Sequence, residues 1–200
     1  MTDNNDTLPL EQRVQLHKAE AWEEARRQAE ARFVQSLPPS LRRATWDSVV
    51  RDPLTPPEVL EAVSPYIDSP RHNLSLLGDI GVGKTWTAVA AVRRMIAPGQ
   101  TSLFQPVSEV FELWRGRDWD YRSIGTPYWL ILDDLGGAHQ LSEREMDRFY
   151  AILDKRDRDE LPTVVTSNMD PDMLRGWIGV RAFDRLRRGT VVMWPGDSRR

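Results

Sequence analysis

The 200-residue sequence predicts an α/β fold, a parallel sheet flanked by helices with a helical arm in front of it. Three observations carry this. From Asn73 onward short apolar runs alternate with segments of helical periodicity, the pattern of a sheet buried on both faces. Gly78-Asp79-Ile80-Gly81-Val82-Gly83-Lys84-Thr85 fits G-x-x-x-x-G-K-[ST], a phosphate-binding loop, between an apolar strand and an apolar helix. Leu10 to Phe33 contains no Gly or Pro and is dominated by Ala, Glu, Gln and Arg, all good helix formers.

That last segment defines an arm over residues 1–36. Its apolar face is thin: Leu10, Val14, Ala21 and Ala25, with Trp22 and Phe33 as the large groups. A helix this polar is not expected in the core. It is either a solvated extension or an arm that lays its few large apolar groups into a partner's groove. Residues 37–72 hold seven of the 14 prolines and read as a connector with short helical pieces, Pro57–Val63 among them. Residues 73–200 form the predicted core. Strands are expected at Asn73–Leu77, Ser102–Gln105, Tyr128–Leu132, Thr163–Thr166 and Thr190–Trp194. Lys84–Ile96 is apolar nearly all round, as a helix packed on a sheet should be. Val107, Val110, Phe111 and Trp114 fall on one helical face, and Met146, Phe149, Tyr150 and Leu153 repeat that spacing.

Composition excludes several function classes. The absence of Cys removes disulfides, thiol nucleophiles, Cys-ligated zinc and iron–sulfur clusters. His17, His72 and His139 are scattered without metal-ligand spacing. The polar, acidic N-terminus is unlike a signal peptide, and no run approaches the ~18 apolar residues of a spanning helix, so a cytoplasmic location and no membrane partner are expected. The net charge of −3 argues against a uniformly basic nucleic-acid coat. Of 27 Lys and Arg, only Lys18, Lys84 and Lys155 are lysine.

The motifs point to nucleotide chemistry. Glycines let backbone N–H groups close around phosphate oxygens, and the next helix adds its positive N-terminus. Gly78, Gly81, Val82, Gly83, Lys84, Thr85 and Trp86 are the candidate nucleotide contacts; Lys84 reaches the β- and γ-phosphates and the Thr85 hydroxyl ligates Mg²⁺. Trp129-Leu130-Ile131-Leu132-Asp133-Asp134 is an apolar strand ending in two carboxylates. Asp133 suits Mg²⁺, and Asp134 stands where many ATPases carry a Glu that orients the attacking water. Asp is one methylene shorter, so slow ATP hydrolysis is expected. The strand Thr163–Thr166 ends in Ser167-Asn168, which can set Asn168 beside the γ-phosphate. Residues 175–200 hold seven arginines against Asp184 and Asp197. Arg181 and Arg185 share a helical face and suit an arginine finger presented to a neighbouring subunit, or a solvated basic face. Trp114, Arg115, Arg117, Trp119, Tyr121 and Arg122 interleave aromatic and cationic groups, as a single-stranded nucleic-acid site or a partly packed surface loop would.

Taken in order, the phosphate loop, LILDDLGG, VVTSN, RAFDRLRRG and PGDSRR resemble the IstB/DnaC-like AAA+ ATPases, which include bacterial and phage helicase loaders. LPPSLRRATWDSVV resembles the segment that introduces their ATPase core, and SLFQPVSEVFELWR their second strand and helix. The resemblance covers roughly Leu37 to Arg200. It implies an AAA+ type P-loop NTPase fold. Lys84 and Thr85 match the Walker A pair, Asp133 and Asp134 the Walker B pair, and Asn168 sensor 1. Arg185 matches the arginine finger with Arg181 just upstream, and Arg200 (Arg199 as fallback) matches sensor 2. The cofactors implied are ATP and Mg²⁺. The partners implied are a replicative DnaB-type helicase met through the arm, single-stranded DNA, and further copies of the chain in an AAA+ oligomer. About 30 residues follow Asn168, so a minimal or absent lid is expected. Without Cys, the zinc-bearing version of a loader's helicase-binding domain is excluded. The rivals are a transposition helper ATPase, a P-loop kinase for a small metabolite, and an adaptor that binds ATP without turnover.

Overall fold

The computed structural model describes residues 9–70, 72–115, 122–137 and 140–195. Helix α1 spans Leu10–Ser36 and is followed by a 3₁₀ turn at Pro39–Leu41, α2 (Trp46–Arg51) and α3 (Pro57–Asp68). Then come β1 (Leu74–Leu77), α4 (Lys84–Met95), β2 (Ser102–Pro106), α5 (Val107–Arg115), α6 (Arg122–Gly125) and β3 (Trp129–Leu135). The last elements are α7 (Glu143–Arg158), β4 (Thr163–Ser167), α8 (Pro171–Ile178), α9 (Val180–Leu186) and β5 (Thr190–Met193). Among the described residues the strands form one parallel sheet in the order β2-β3-β4-β1-β5. Parallel pairing sends every connection across a face, which is why helices cover both sides.

Each face has its own apolar cluster. On one, Val89, Ala90 and Val92 of α4 and Ile96 just after it pack with Val49 of α2, with Val59, Val63 and Tyr66 of α3, and with Leu74 and Leu76 of β1. On the other, Phe111 and Trp114 of α5 meet Phe149, Ile152 and Leu153 of α7 and Trp177 of α8. The rings of Phe111, Trp114, Phe149 and Trp177 meet edge-on or tilted, with centroids 5.3–6.4 Å apart.

Residues 37–70 are more than a connector. Their prolines cut the chain into short helices without stopping it from packing. The helix expected at Pro57–Val63 runs on to Asp68 through Pro65, because burying Tyr66 beside Val59 and Val63 holds another turn in place. A capping box starts α2: Ser48 N donates to Thr45 Oγ1 and Thr45 N donates to Ser48 Oγ, each at 3.2 Å. Helix α1 divides in two. Ala29 and Phe33 are buried in the core, and Arg93 of α4 ties the same end down, donating to Glu30 Oε1 at 2.5 Å and to the Arg42 and Ala44 carbonyls. Toward its N-terminus Leu10, Val14, Leu16 and Trp22 are exposed. Among the described residues no helix is long and apolar enough to cross a membrane.

Asn73 staples the opposite end of the sheet. Its amide donates to Arg185 O at 3.0 Å and accepts from Thr163 N at 3.0 Å, and its carbonyl accepts from Thr190 N at 2.8 Å. A side chain at Gly189 would overlap the Asn73 backbone, so this approach requires glycine.

Candidate nucleotide-binding site

The loop after β1 turns back on itself through Gly78, Gly81 and Gly83, whose φ values are 143°, 81° and 109°. L side chains rarely adopt such angles. At Gly78 a Cβ would also lie 2.7 Å from that of Trp194, so the residue that follows β5 packs on the start of the loop. The loop opens into a cleft of about 390 Å³, within the range of small-molecule sites. Gly81, Gly83, Lys84, Thr85, Trp86, Asp133, Asp134 and Asn168 line it, together with Leu41, Ile80 and Thr166. Parallel strands bring these residues together, since β1, β3 and β4 all end at this edge.

The polar groups form one connected network. Lys84 Nζ donates to Gly78 O at 2.7 Å, Asp79 O at 2.6 Å and Asn168 Oδ1 at 2.8 Å. Asn168 Nδ2 donates to Asp134 Oδ1 at 2.7 Å. Asp133 Oδ1 accepts from the Thr85 and Thr166 hydroxyls, both at 2.7 Å, and Asp134 N donates to Thr166 Oγ1 at 2.9 Å. Asp134 is held at φ 60°, a left-handed conformation for a non-glycine residue. Burial pushes the Asp133 carboxyl above its ordinary range, partly offset by the two hydroxyls. Burial also pulls the Lys84 ammonium down, against the opposing pull of Asp134, Asp79 and Asp133. Thr85 and Asp133 form an adjacent hydroxyl–carboxylate oxygen pair. That suits Mg²⁺, which takes one or two protein oxygens and completes its shell with water and phosphate. Among the described residues no group of three or more His, Cys, Asp or Glu could hold a metal ion by itself.

The other predicted residues lie apart from this network. Val82 is buried beneath the loop instead of lining the cleft, because its side chain joins the core under α4. Arg181 and Arg185 of α9 lie on α7, outside the cleft lining of their own chain. Arg185 donates to Asp154 Oδ1 at 2.8 and 3.2 Å and lies 3.5 Å from Asp157. That hydrogen bond holds the Asp154 carboxyl below its usual range. Arg181 sits 3.8 Å over the Tyr150 ring and is 68 % exposed, against 21 % for Arg185. Arg199 and Arg200 lie outside the described residues, as do Arg117, Trp119, Tyr121 and His139. Three cleft residues were not among the contacts read from sequence: Ile80 within the loop motif itself, Thr166 and Leu41. Thr166 looked only like a β-branched strand former, although its place two residues before Asn168 puts it on the same side of β4. Leu41 sits in a proline-rich turn that carries no local signal.

This sheet order, with the phosphate loop after β1 and carboxylates at the end of β3, defines a P-loop NTPase fold of the AAA+ type. The chain belongs to the IstB-like ATP binding protein family, whose model matches residues 4–182. Three solved structures are similar to it. DnaI matches with a TM-score of 0.66 at 24 % identity, covering 82 % of this chain and 94 % of its own. The DnaC helicase loader matches with a TM-score of 0.68 at 19 % identity, covering 79 % and 100 %. The replication initiator DnaA bound to AMPPCP and single-stranded DNA matches with a TM-score of 0.62 at 21 % identity, covering 80 % and 51 %. No curated protein matches the chain.

Proposed function

We propose that this chain is an ATP-dependent loader that delivers a replicative DnaB-type helicase to single-stranded DNA. The observation that carries the reading is the cleft joining Lys84, Thr85, Asp133 and Asn168, on a chain 79 % of which matches the fold of the DnaC helicase loader. Nucleotide-bound DnaA supports ATP as the ligand. Lys84 exchanges two carbonyls and Asn168 for phosphate oxygens. Asn168, relieved of Lys84, faces the γ-phosphate, and Asp134 orients water. Thr85 and Asp133 would hold Mg²⁺, which when bound neutralises charge on the β- and γ-oxygens. Asp134 in place of a longer Glu makes turnover slow.

The cleft is completed by a neighbouring copy. Arg185 takes the finger role by resemblance and must release Asp154 to do so. Arg181, already exposed, is the second candidate. Arg185→Ala should keep ATP binding and lower turnover about 10³-fold or more. Normal turnover and ATP-dependent assembly in that variant would move the role to Arg181. Residues 1–36 are the helicase-docking arm, supported by Trp22, Leu10 and Val14 standing exposed on a polar helix. Deleting residues 1–25, which leaves Ala29, Glu30 and Phe33 in place, should spare ATP affinity and lose helicase capture; capture that survives the deletion places docking elsewhere. The cytoplasm is the compartment this function requires.

The IstB-like family match favours a second reading, a transposition helper that binds a transposase and duplex DNA. Pull-down against the host's replicative helicase and against a transposase separates the two, because the ATPase core serves either.

A further inference from the structure

The lining of the cleft is of two kinds. Lys84, Thr85, Asp133, Asp134, Thr166 and Asn168 gather at the strand ends, where phosphates belong. Leu41, Ile80 and Trp86 supply the apolar remainder of the lining. Among these three, Trp86 Nε1 is the one side-chain hydrogen-bonding group, and it is already given to Ser48 Oγ at 3.0 Å. Ser48 is itself fixed, donating to Thr45 O at 2.6 Å and accepting from Thr45 N at 3.2 Å in the capping box of α2. The indole is therefore locked in place by a neighbouring helix start, and its edge is spent.

We infer that Trp86, held by Ser48, is the stacking platform for the nucleobase, and that this site accepts purine and pyrimidine nucleoside triphosphates with little discrimination. The inference rests on the nucleotide-binding reading above. A base is selected strongly when buried groups hydrogen-bond its edge, because the wrong edge leaves them unpaired. Stacking on an aromatic face tolerates any base, since each has a π-face. Here the side chains of the apolar lining offer area and no free edge, so affinity divides between the phosphate network and the indole.

Isothermal titration of the full chain with the magnesium complexes of ATP, GTP, CTP and tripolyphosphate tests this. The three nucleotides should bind within about tenfold of one another, each more tightly than tripolyphosphate. Trp86→Ala should weaken all three by about five- to 150-fold, the loss of a ~1–3 kcal/mol stack at about 1.4 kcal/mol per tenfold, and leave tripolyphosphate unchanged. Trp86→Phe, which keeps a ring but cannot reach Ser48, should recover most of the affinity. GTP and CTP binding more than about 100-fold weaker than ATP would overturn the inference while sparing the nucleotide reading. So would a Trp86→Ala protein that binds tripolyphosphate and ATP as before. If neither tripolyphosphate nor any nucleotide binds the unaltered chain, both readings fall together.

Discussion

Two cationic side chains are buried at opposite edges of the same sheet, and their partners differ in kind. Lys84 is 6 % exposed and Arg156 of α7 is 1 % exposed. Arg156 places five hydrogen bonds on its own chain: Nε to Thr163 Oγ1, and the two terminal nitrogens to the carbonyls of Gly125, Pro127, Tyr128 and Pro162, at 2.6–3.3 Å. A guanidinium has five N–H donors, so none remains for a ligand. Burial drags its pKa down to about 10, yet the planar fork is saturated where the chain enters β3 and β4. Lys84 is a flexible stem that lines an open cleft with one of its three acceptors, Asn168, and phosphate oxygens can replace those acceptors. A buried cation whose five N–H groups are all spent on its own chain is a structural tie. One held by three acceptors on a flexible stem is free to be claimed by a ligand.

Substitution should separate the two roles. Arg156→Met leaves buried carbonyls unpaired and should cost about 3–5 kcal/mol of stability in urea unfolding, with ATP affinity of the folded protein unchanged. A stable Arg156→Met protein with weakened ATP binding would reverse the comparison. Lys84→Met should weaken ATP by about 100-fold or more, since charge-assisted bonds to phosphate are lost, while Tm holds or rises. Burial lowers the Lys84 pKa, so its charge is carried at a cost, and removing that cost offsets the three hydrogen bonds that methionine loses. Retained micromolar ATP affinity would sink the phosphate-loop assignment.

Asp133 extends the contrast to an anion. Its carboxyl is raised by burial, so the native state holds the proton more tightly than the unfolded chain. Its stabilising contribution is complete below the ordinary carboxylate pKa and is lost as pH rises through the raised one. Asp133→Asn should therefore raise the Tm of the nucleotide-free protein at pH 7, by about 2–4 °C per kcal/mol relieved, and abolish the Mg²⁺ dependence of ATP binding. An unchanged Mg²⁺ dependence would move the metal elsewhere. The smallest effect belongs to Asp154, whose carboxyl Arg185 holds low. Its contribution is present above the ordinary carboxylate pKa and fades as pH falls through the lowered one. Asp154→Asn should lower Tm slightly at neutral pH, with the difference from the unaltered chain closing toward pH 2. A difference that persists in acid would mean that packing, not charge, holds α9 on α7.

Much of this molecule could be read before its shape was known, and the reason is range. The phosphate loop, the strand into Asp133-Asp134 and the strand into Ser167-Asn168 are contiguous stretches in which pattern and chemistry coincide. What escaped is built from partners far apart in the chain. Arg156 sits in the last turn of an amphipathic helix, where an arginine ordinarily meets solvent, and only the approach of residues 125–128 and 162–163 buries it. Asn73 looked like the polar start of a strand, not a staple for β4 and β5. Prolines at 38, 39, 56 and 57 correctly marked breaks, but breaks between packed pieces, so neither Leu41 in the cleft lining nor Ser48 behind Trp86 was singled out.

The order of the strands has a consequence for how the chain is made. Leu74 pairs with Val164 on one side and with Thr190 on the other, so both neighbours of β1 lie far downstream. During synthesis from the N-terminus, the strand bearing the phosphate loop leaves the ribosome with neither edge partnered, and α4 has only part of its sheet to cover. Long-range parallel pairing is slow and leaves apolar surface open in the meantime. The nucleotide site is thus written early and assembled late. A nascent chain halted before Val164 carries the whole phosphate-binding motif and has no strand beside β1 to hold it open for a nucleotide.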